Sequence, residues 1–216
     1  MNNYTYNFYN AQDAFEYYYS NIMKDGFNIN NTKAFFNVGF YIQNPLNNSI
    51  DIPWRNWKED YAKKEWEWYL SGDQSAIEIA KEAKIWKNMM DENGNVNSNY
   101  GHWWKKGDQL NYVIDLLKKD ITTRRAVIVH YNPEEVNNYE KDTPCNLVLN
   151  FCHYNNTLNL SIFARSIDLV FGFCNDQYMF SNLLQLVCKE IGIEPGNIFY
   201  QITNLHIYER HFNLKK

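Results

Sequence analysis

Apolar residues recur along the chain at two spacings, and the changes between them mark out the elements. From Ala11 to Lys24 they fall three and four apart, which predicts an amphipathic helix stopped by Asp25-Gly26. Ala34 to Ile42 is dense in Phe, Val, Tyr and Ile and predicts a strand that ends at Asn44-Pro45. Helical spacing returns from Trp57 to Leu70, with Ser71-Gly72-Asp73 as its stop, then from Ala76 to Met90 before a turn at Asp91 to Gly94, and again from Leu110 to Lys118. Strands are expected at Ala126 to Tyr131, Asn146 to Phe151 and Leu158 to Phe163. A helix follows, carrying Leu183, Leu184, Leu186, Val187 and Ile191, then a loop from Gly192 to Gly196 and a strand from Asn197 to Thr203. This irregular alternation, without internal repeat, predicts one α+β domain over residues 1–216, with several helices packed on a mixed sheet.

The stretch Arg165-Ser-Ile-Asp168-Leu-Val-Phe-Gly172-Phe-Cys-Asn175-Asp176-Gln-Tyr178 joins a predicted strand to a predicted helix. Arg165 sits at the strand's end and Asp176 at the helix's start, where a rigid scaffold leaves end groups open to a ligand. Arg124-Arg125, just before a strand, either faces solvent or clamps a phosphate, for which guanidinium geometry is suited. Glu65 shares a helix face with Trp68 and Tyr69, which Glu67 cannot. By residue type alone, Glu65 reads as a charge at the edge of an aromatic core. Cys145 reads as a semi-buried thiol between loop and strand, His206 as a satisfied polar group and Tyr208 as core.

Composition narrows the function classes. A net charge of -4 argues against a general nucleic-acid binder, which needs a basic surface, but leaves room for a small anion held by a few arginines. The 17 Tyr, 13 Phe and 7 Trp fit an aromatic core or, alternatively, flat ligands. The four cysteines form no CxxC pair and no zinc-like spacing with histidine, so reduced thiols and no metal are expected. No apolar run approaches the about 20 residues that span a bilayer, and the polar start Met1-Asn-Asn-Tyr-Thr5 is unlike a secretory leader. The expectation is a cytoplasmic protein without membrane contact, in the host cytoplasm if viral.

Eight separated motifs carry a resemblance. Glu65-Trp-Glu-Trp68-Tyr-Leu-Ser-Gly72, Ile85-Trp86, Asn99-Tyr100-Gly101-x-Trp103, Arg124-Arg125, Pro144-Cys145, Arg165-Ser166-x-Asp168, the Gly172 loop and His206-Ile-Tyr208 follow in an order that resembles the thymidylate synthase superfamily, over about residues 35–211. Lys84-Ile-Trp86, Asn97-Ser-Asn-Tyr-Gly101, Val170-Phe-Gly-Phe173 and Asn175-Asp176 look like one branch of it, the phage deoxycytidylate (dCMP) hydroxymethylases. The resemblance implies a thymidylate synthase-like fold whose sheet face forms a homodimer, with methylenetetrahydrofolate as co-substrate. It casts Cys145 as the nucleophile that adds to C6 of the pyrimidine, its thiol pKa lowered by Arg165. It casts Glu65 as the group that handles protons and positions water. Arg165 and Ser166, with Arg124 and Arg125 of the partner subunit, would hold the 5′-phosphate. His206 and Tyr208 would bind the ribose 3′-hydroxyl, with His206 also ordering water, while Trp86, Tyr100 and Asp168 would face the folate.

Counting from Arg165, Asp176 stands where the resembling synthases have a pyrimidine-reading asparagine. An amide can pair with uracil's O4 and N3–H; a carboxylate accepts from cytosine's N4 amino group and, once N3 is protonated, from N3–H. The branch therefore implies deoxycytidylate and a hydroxymethyl product formed with water. Alternatives are cytidylate as substrate, thymidylate synthesis on deoxyuridylate, and a nucleotide- or RNA-binding relative without turnover. Three departures bear on these expectations. Asn146 stands where synthases usually have histidine; the N-terminal phosphate-loop arginine is not visible, with Lys33 the candidate replacement; and the sequence given stops shortly after His206-Ile-Tyr208, which implies no tail closing over the folate.

Overall fold

The computed structural model describes residues 6–135 and 141–215. The polar segment between the strands expected at Ala126 to Tyr131 and Asn146 to Phe151 reads as a loop over residues 132–143, and part of it lies outside the described residues. Strand β1 (Tyr6–Phe8) leads into helix α1 (Ala11–Asp25), whose N-terminus is capped by Asn10, its side chain accepting from the Asp13 N–H. A hairpin of β2 (Phe27–Ile29) and β3 (Thr32–Ile42) follows. Helix α2 (Glu59–Ser71) ends at Gly72 with φ 66°, the left-handed cap the sequence predicts.

The single helix expected over 76–90 is instead two short ones, α3 (Ile79–Glu82) and α4 (Ile85–Met89). Ala83 between them is extended (φ -133°, ψ 111°), and the break lets Trp86 bury on its own turn. Helix α5 (Tyr100–Lys105), which the apolar spacing does not predict, starts at buried Asn99, which caps it through the His102 N–H. The same side chain donates to Trp68 O and Asp73 O, fastening α5 to the end of α2. At Gly101 an added Cβ would lie 1.5 Å from Tyr69 O, so only glycine permits that approach. Helix α6 (Gln109–Lys119) precedes β4 (Val127–Val129), shorter than the strand expected over 126–131 because His130 turns inward to side-chain partners.

The remaining elements are β5 (Asn146–Tyr154), β6 (Thr157–Ala164), β7 (Ile167–Asp168), a π-helical turn (Leu169–Phe173), α7 (Cys174–Ile191) and the long β8 (Pro195–Tyr208). The strands form one mixed eight-stranded sheet in the order β1-β3-β8-β6-β5-β4, with β2 on β3 and β7 on β8. One face carries Phe40, Leu149, Phe151, Ile162, Tyr200 and Ile202 into a core shared with Phe15 and Ile22 of α1 and Phe180 and Leu183 of α7. The opposite face carries Tyr41, Val148, Phe163 and Phe199, and Phe163 is 40% exposed. Helices on a mixed sheet make this the expected α+β fold. Among the described residues no helix is long and apolar enough to cross a membrane.

Candidate active site

The parallel pairing of β7 with β8 sets Ile167 opposite Leu205 and Asp168 opposite His206. Two segments far apart in sequence, Arg165 to Asp168 and His206 to Tyr208, thereby meet at one wall of a cleft. Strand alternation buries Leu205 and Ile207 and turns His206 and Tyr208 to the other side. Asp168 accepts from the Val170 N–H at 2.9 Å and starts the π-helical turn, which delivers Asp176 in the first turn of α7. Helix α2 contributes Tyr61, Glu65 and Tyr69, α4 contributes Trp86 and α5 contributes Tyr100. Cys145, immediately before β5, completes a cleft of about 430 Å³.

Arg165 fixes the segment carrying Cys145. Its backbone N–H donates to Cys145 O (2.9 Å), its Nε to Pro144 O (3.0 Å) and its Nη2 to Thr143 O (2.7 Å), and Nη2 lies 3.7 Å from Sγ. Upstream, buried Asp142 accepts from the Ser98 N–H (2.7 Å) and hydroxyl (2.5 Å). Burial pushes the Cys145 thiol up to about 11, with Arg165 pulling down and Asp176, Asp142 and Asp168 pushing up. This corrects the expectation of a thiol pKa lowered by its arginine: desolvation outweighs one guanidinium already committed to backbone carbonyls.

Burial displaces two of the cleft's carboxyls upward. Glu65 rises to about 8, with Tyr61's hydrogen bond opposing and Asp176 adding to the rise. Asp176 rises to about 7, with a hydrogen bond from Asn146 opposing and Asp168 adding. Fully buried Asn146 also donates through Nδ2 to the Tyr100 hydroxyl at 3.1 Å, and its Oδ1 has no partner. Its carbonyl oxygen lies 2.8 Å from His130 Nδ1. Because the Trp104 indole N–H, a donor only, points at His130 Nε2 (3.0 Å), the proton of the neutral ring sits on Nδ1 and is given to Asn146. Burial lowers the pKa of the His206 imidazole, against the pull of Asp168.

Cys145, Glu65, Asp176, His206, Arg165, Ser166, Tyr208, Trp86, Tyr100 and Asp168 all line this cleft. Arg124 and Arg125 do not; they are exposed, between α6 and β4. Glu67 is exposed, so Glu65 is the carboxyl that α2 presents. Lys33 is spent on Met23 O (2.7 Å) and lies outside the cleft. Sequence reasoning missed Tyr61, although its spacing of four from Glu65 on one helix face was available. It also missed Arg210, which lines the cleft 3.6 Å from Asp168 and over the Tyr208 ring. Among the described residues no group of three or more His, Cys, Asp or Glu could hold a metal.

Comparison with known proteins gives this arrangement a context. The family model described as thymidylate synthase matches residues 30–216. A protein of Bacillus phage SP01 named deoxyuridylate hydroxymethyltransferase is 33% identical over 183 residues, covering 77% of this chain and 48% of its own length. A thymidylate synthase of Fusobacterium nucleatum is 30% identical over 153 residues, covering 68% of this chain and 55% of its own. One from Buchnera aphidicola subsp. Acyrthosiphon pisum is 28% identical over 159 residues, covering 69% and 60%. The chain thus spans about half to three fifths of the length of these relatives. On the match of the family model across most of its length, the chain belongs to the thymidylate synthase family.

Proposed function

We propose that this protein is a folate-dependent hydroxymethyltransferase that acts at C5 of deoxycytidylate. The observation that carries the reading is Asp176, a carboxyl that lines one cleft with the Cys145 thiol and the second carboxyl, Glu65. A carboxyl sharing one proton with cytosine's N3 accepts from the N4 amino group and closes a two-bond pairing; mispairing in a buried site costs about 1–3 kcal/mol.

In this reading Arg165 and Ser166 take the 5′-phosphate, together with Arg124 and Arg125 of the partner subunit. The exposed position of those two arginines and the apolar open sheet face are compatible with a homodimer. His206 and Tyr208 hold the ribose. Cys145 loses its proton and its sulfur adds to C6, which makes C5 nucleophilic. The one-carbon unit that C5 accepts would come from methylenetetrahydrofolate, with the C–N bond to that carbon breaking so that tetrahydrofolate leaves unoxidised, C5 giving up its proton, and water adding to the exocyclic methylene left on the ring. Trp86 and Asp168 are the residues for the folate's ring system, since a flat indole and a carboxyl line the same cleft and suit a planar heterocycle bearing N–H donors. Glu65, with a pKa brought near neutrality, moves a proton to or from the water that supplies the hydroxyl. The sulfur then leaves C6.

The second reading takes deoxyuridylate as the nucleotide, giving either the hydroxymethyl or the methyl product, as the names of the relatives suggest. Incubation with methylenetetrahydrofolate and a panel of pyrimidine monophosphates, followed by mass spectrometry, separates them. Deoxycytidylate heavier by one hydroxymethyl group is expected; turnover confined to deoxyuridylate, or dihydrofolate as a product, replaces the first reading with the second.

A further inference from the structure

Tyr61 is a cleft residue with no part in the reaction as drawn above, yet it makes the closest side-chain contact to one of its carboxyls. Its hydroxyl donates to Glu65 Oε1 at 2.5 Å and accepts from the Trp86 indole N–H at 2.9 Å. An indole nitrogen can only donate, so the Tyr61 oxygen is an acceptor on the Trp86 side. Its own hydrogen finds its acceptor, among the described residues, in Glu65 Oε1. Oε1 must then be the unprotonated oxygen of the carboxyl. Oε2 accepts no hydrogen bond from the described residues, and Glu65 is only 5% exposed, so a proton on this group belongs on Oε2.

We infer that Tyr61, itself held by Trp86, is a positioning residue for Glu65: it occupies Oε1 and confines the exchangeable proton to Oε2. The inference rests on the proposed role of Glu65 for its effect on turnover, but not for the hydrogen-bond geometry itself. Three observations on the helix fit it. Tyr61 and Glu65 are four residues apart on one face of α2, the spacing at which side chains meet. Tyr61 cannot ionise in competition, since burial and the neighbouring Glu65 raise its phenol far above the ordinary range. And its hydrogen bond is the influence that lowers the Glu65 pKa against burial and Asp176. The other titratable groups around Glu65 are Tyr69 on α2 and Asp176 on α7, with Cys145, Arg165 and His206 across the cleft.

Tyr61→Phe removes the hydroxyl and keeps the ring. The expected result is a kcat lower by about tenfold with the nucleotide KM within about twofold, and a shift to higher pH of the limb of the kcat profile that Glu65→Gln abolishes. Rate lost equally at every pH, with that limb unmoved, would assign Tyr61 a merely structural role and overturn the inference. A titration independent of turnover separates this from a failure of the proposed reaction: infrared difference spectra follow the protonated-carboxyl band that Glu65→Gln deletes. Its midpoint moves up in Tyr61→Phe, and up by less in Trp86→Phe, if the relay holds. An unchanged midpoint in a folded Tyr61→Phe protein sinks the inference whether or not the enzyme turns over. A shifted midpoint in a protein that modifies no pyrimidine nucleotide keeps it and discards the reaction.

Discussion

Arg165 Nη2 donates to Thr143 O at 2.7 Å and stands 3.7 Å from Cys145 Sγ, so one guanidinium both clamps the segment that carries Cys145 and sets a positive charge beside its thiol. Burial still holds the thiol near 11. Alkylation of Cys145 by iodoacetamide should therefore be slow at pH 7 and climb about tenfold per pH unit up to about 11. Arg165→Ala should slow it further at any fixed pH below that. Mass spectrometry of the modified peptide, with Cys152 as internal comparison, measures both. Cys145→Ser should abolish product formation.

Asp176 titrates near 7, and deoxycytidylate binding in the proposed pairing holds one proton between the carboxyl and N3. The free site loses that proton as pH rises, so the KM for deoxycytidylate should climb above pH 7, by up to tenfold per unit. Asp176→Asn removes the titration and offers an amide to uracil's edge. The ratio of kcat/KM for deoxycytidylate over deoxyuridylate should fall by roughly 5- to 150-fold, as expected for about 1–3 kcal/mol of mispairing.

Asp142 takes two hydrogen bonds from Ser98 while 2% exposed, tying the loop before Cys145 to the residues that lead into α5. Asp142→Ala leaves both donors without their acceptor. A loss of about 2 kcal/mol and a Tm lower by roughly 4–8 °C are expected by calorimetry.

Opposite pH dependences of stability should coexist in the fold. Fully buried His130 is held neutral down to about 4, whereas the unfolded ring protonates near 6.5. Unfolding thus takes up a proton, and stability falls as pH drops from about 6.5 to about 4, by up to about 3 kcal/mol. Glu65 runs the other way: folded it keeps its proton to about 8, unfolded it loses it near 4.5, so stability falls as pH rises between them. Denaturant titrations across pH should show the acid-side loss shrink in His130→Gln, with the remainder carried by His102, His206 and His211, which burial lowers in the same direction. The alkaline-side loss should diminish in Glu65→Gln, which should also be the more stable protein at pH 8.

What the chain's order of residues revealed depended on whether a local signal existed. Helix α1 announced itself through spacing and a glycine stop, and Gly72 marked the end of α2. The break at Ala83 had no such mark, because Ala76 to Met90 holds neither glycine nor proline and only the burial of Trp86 requires it. Strand β8 runs past the expected Thr203 to Tyr208 because β3 and β7 pair with its far end, a long-range fact. Within the cleft, motif order singled out Cys145, Arg165 and Asp176. Motif order also suggested that Arg165 would lower the thiol pKa, but the balance between charge and desolvation depends on packing. The Tyr61 relay escaped for a related reason: its partner Trp86 is 25 residues away, and nothing in either residue's type announces the bond.

The central strand has a consequence for how this protein fails. Ile198, Tyr200 and Ile202 of β8 sit in the core, and His206 and Tyr208, a few residues along the same backbone, line the cleft. This wall of the cleft, where the proposed ribose contacts lie, therefore has no hinge behind which it could melt first. Loss of nucleotide capture and global collapse should trace a single curve on heating, leaving no intact but inactive species for a chaperone to rescue.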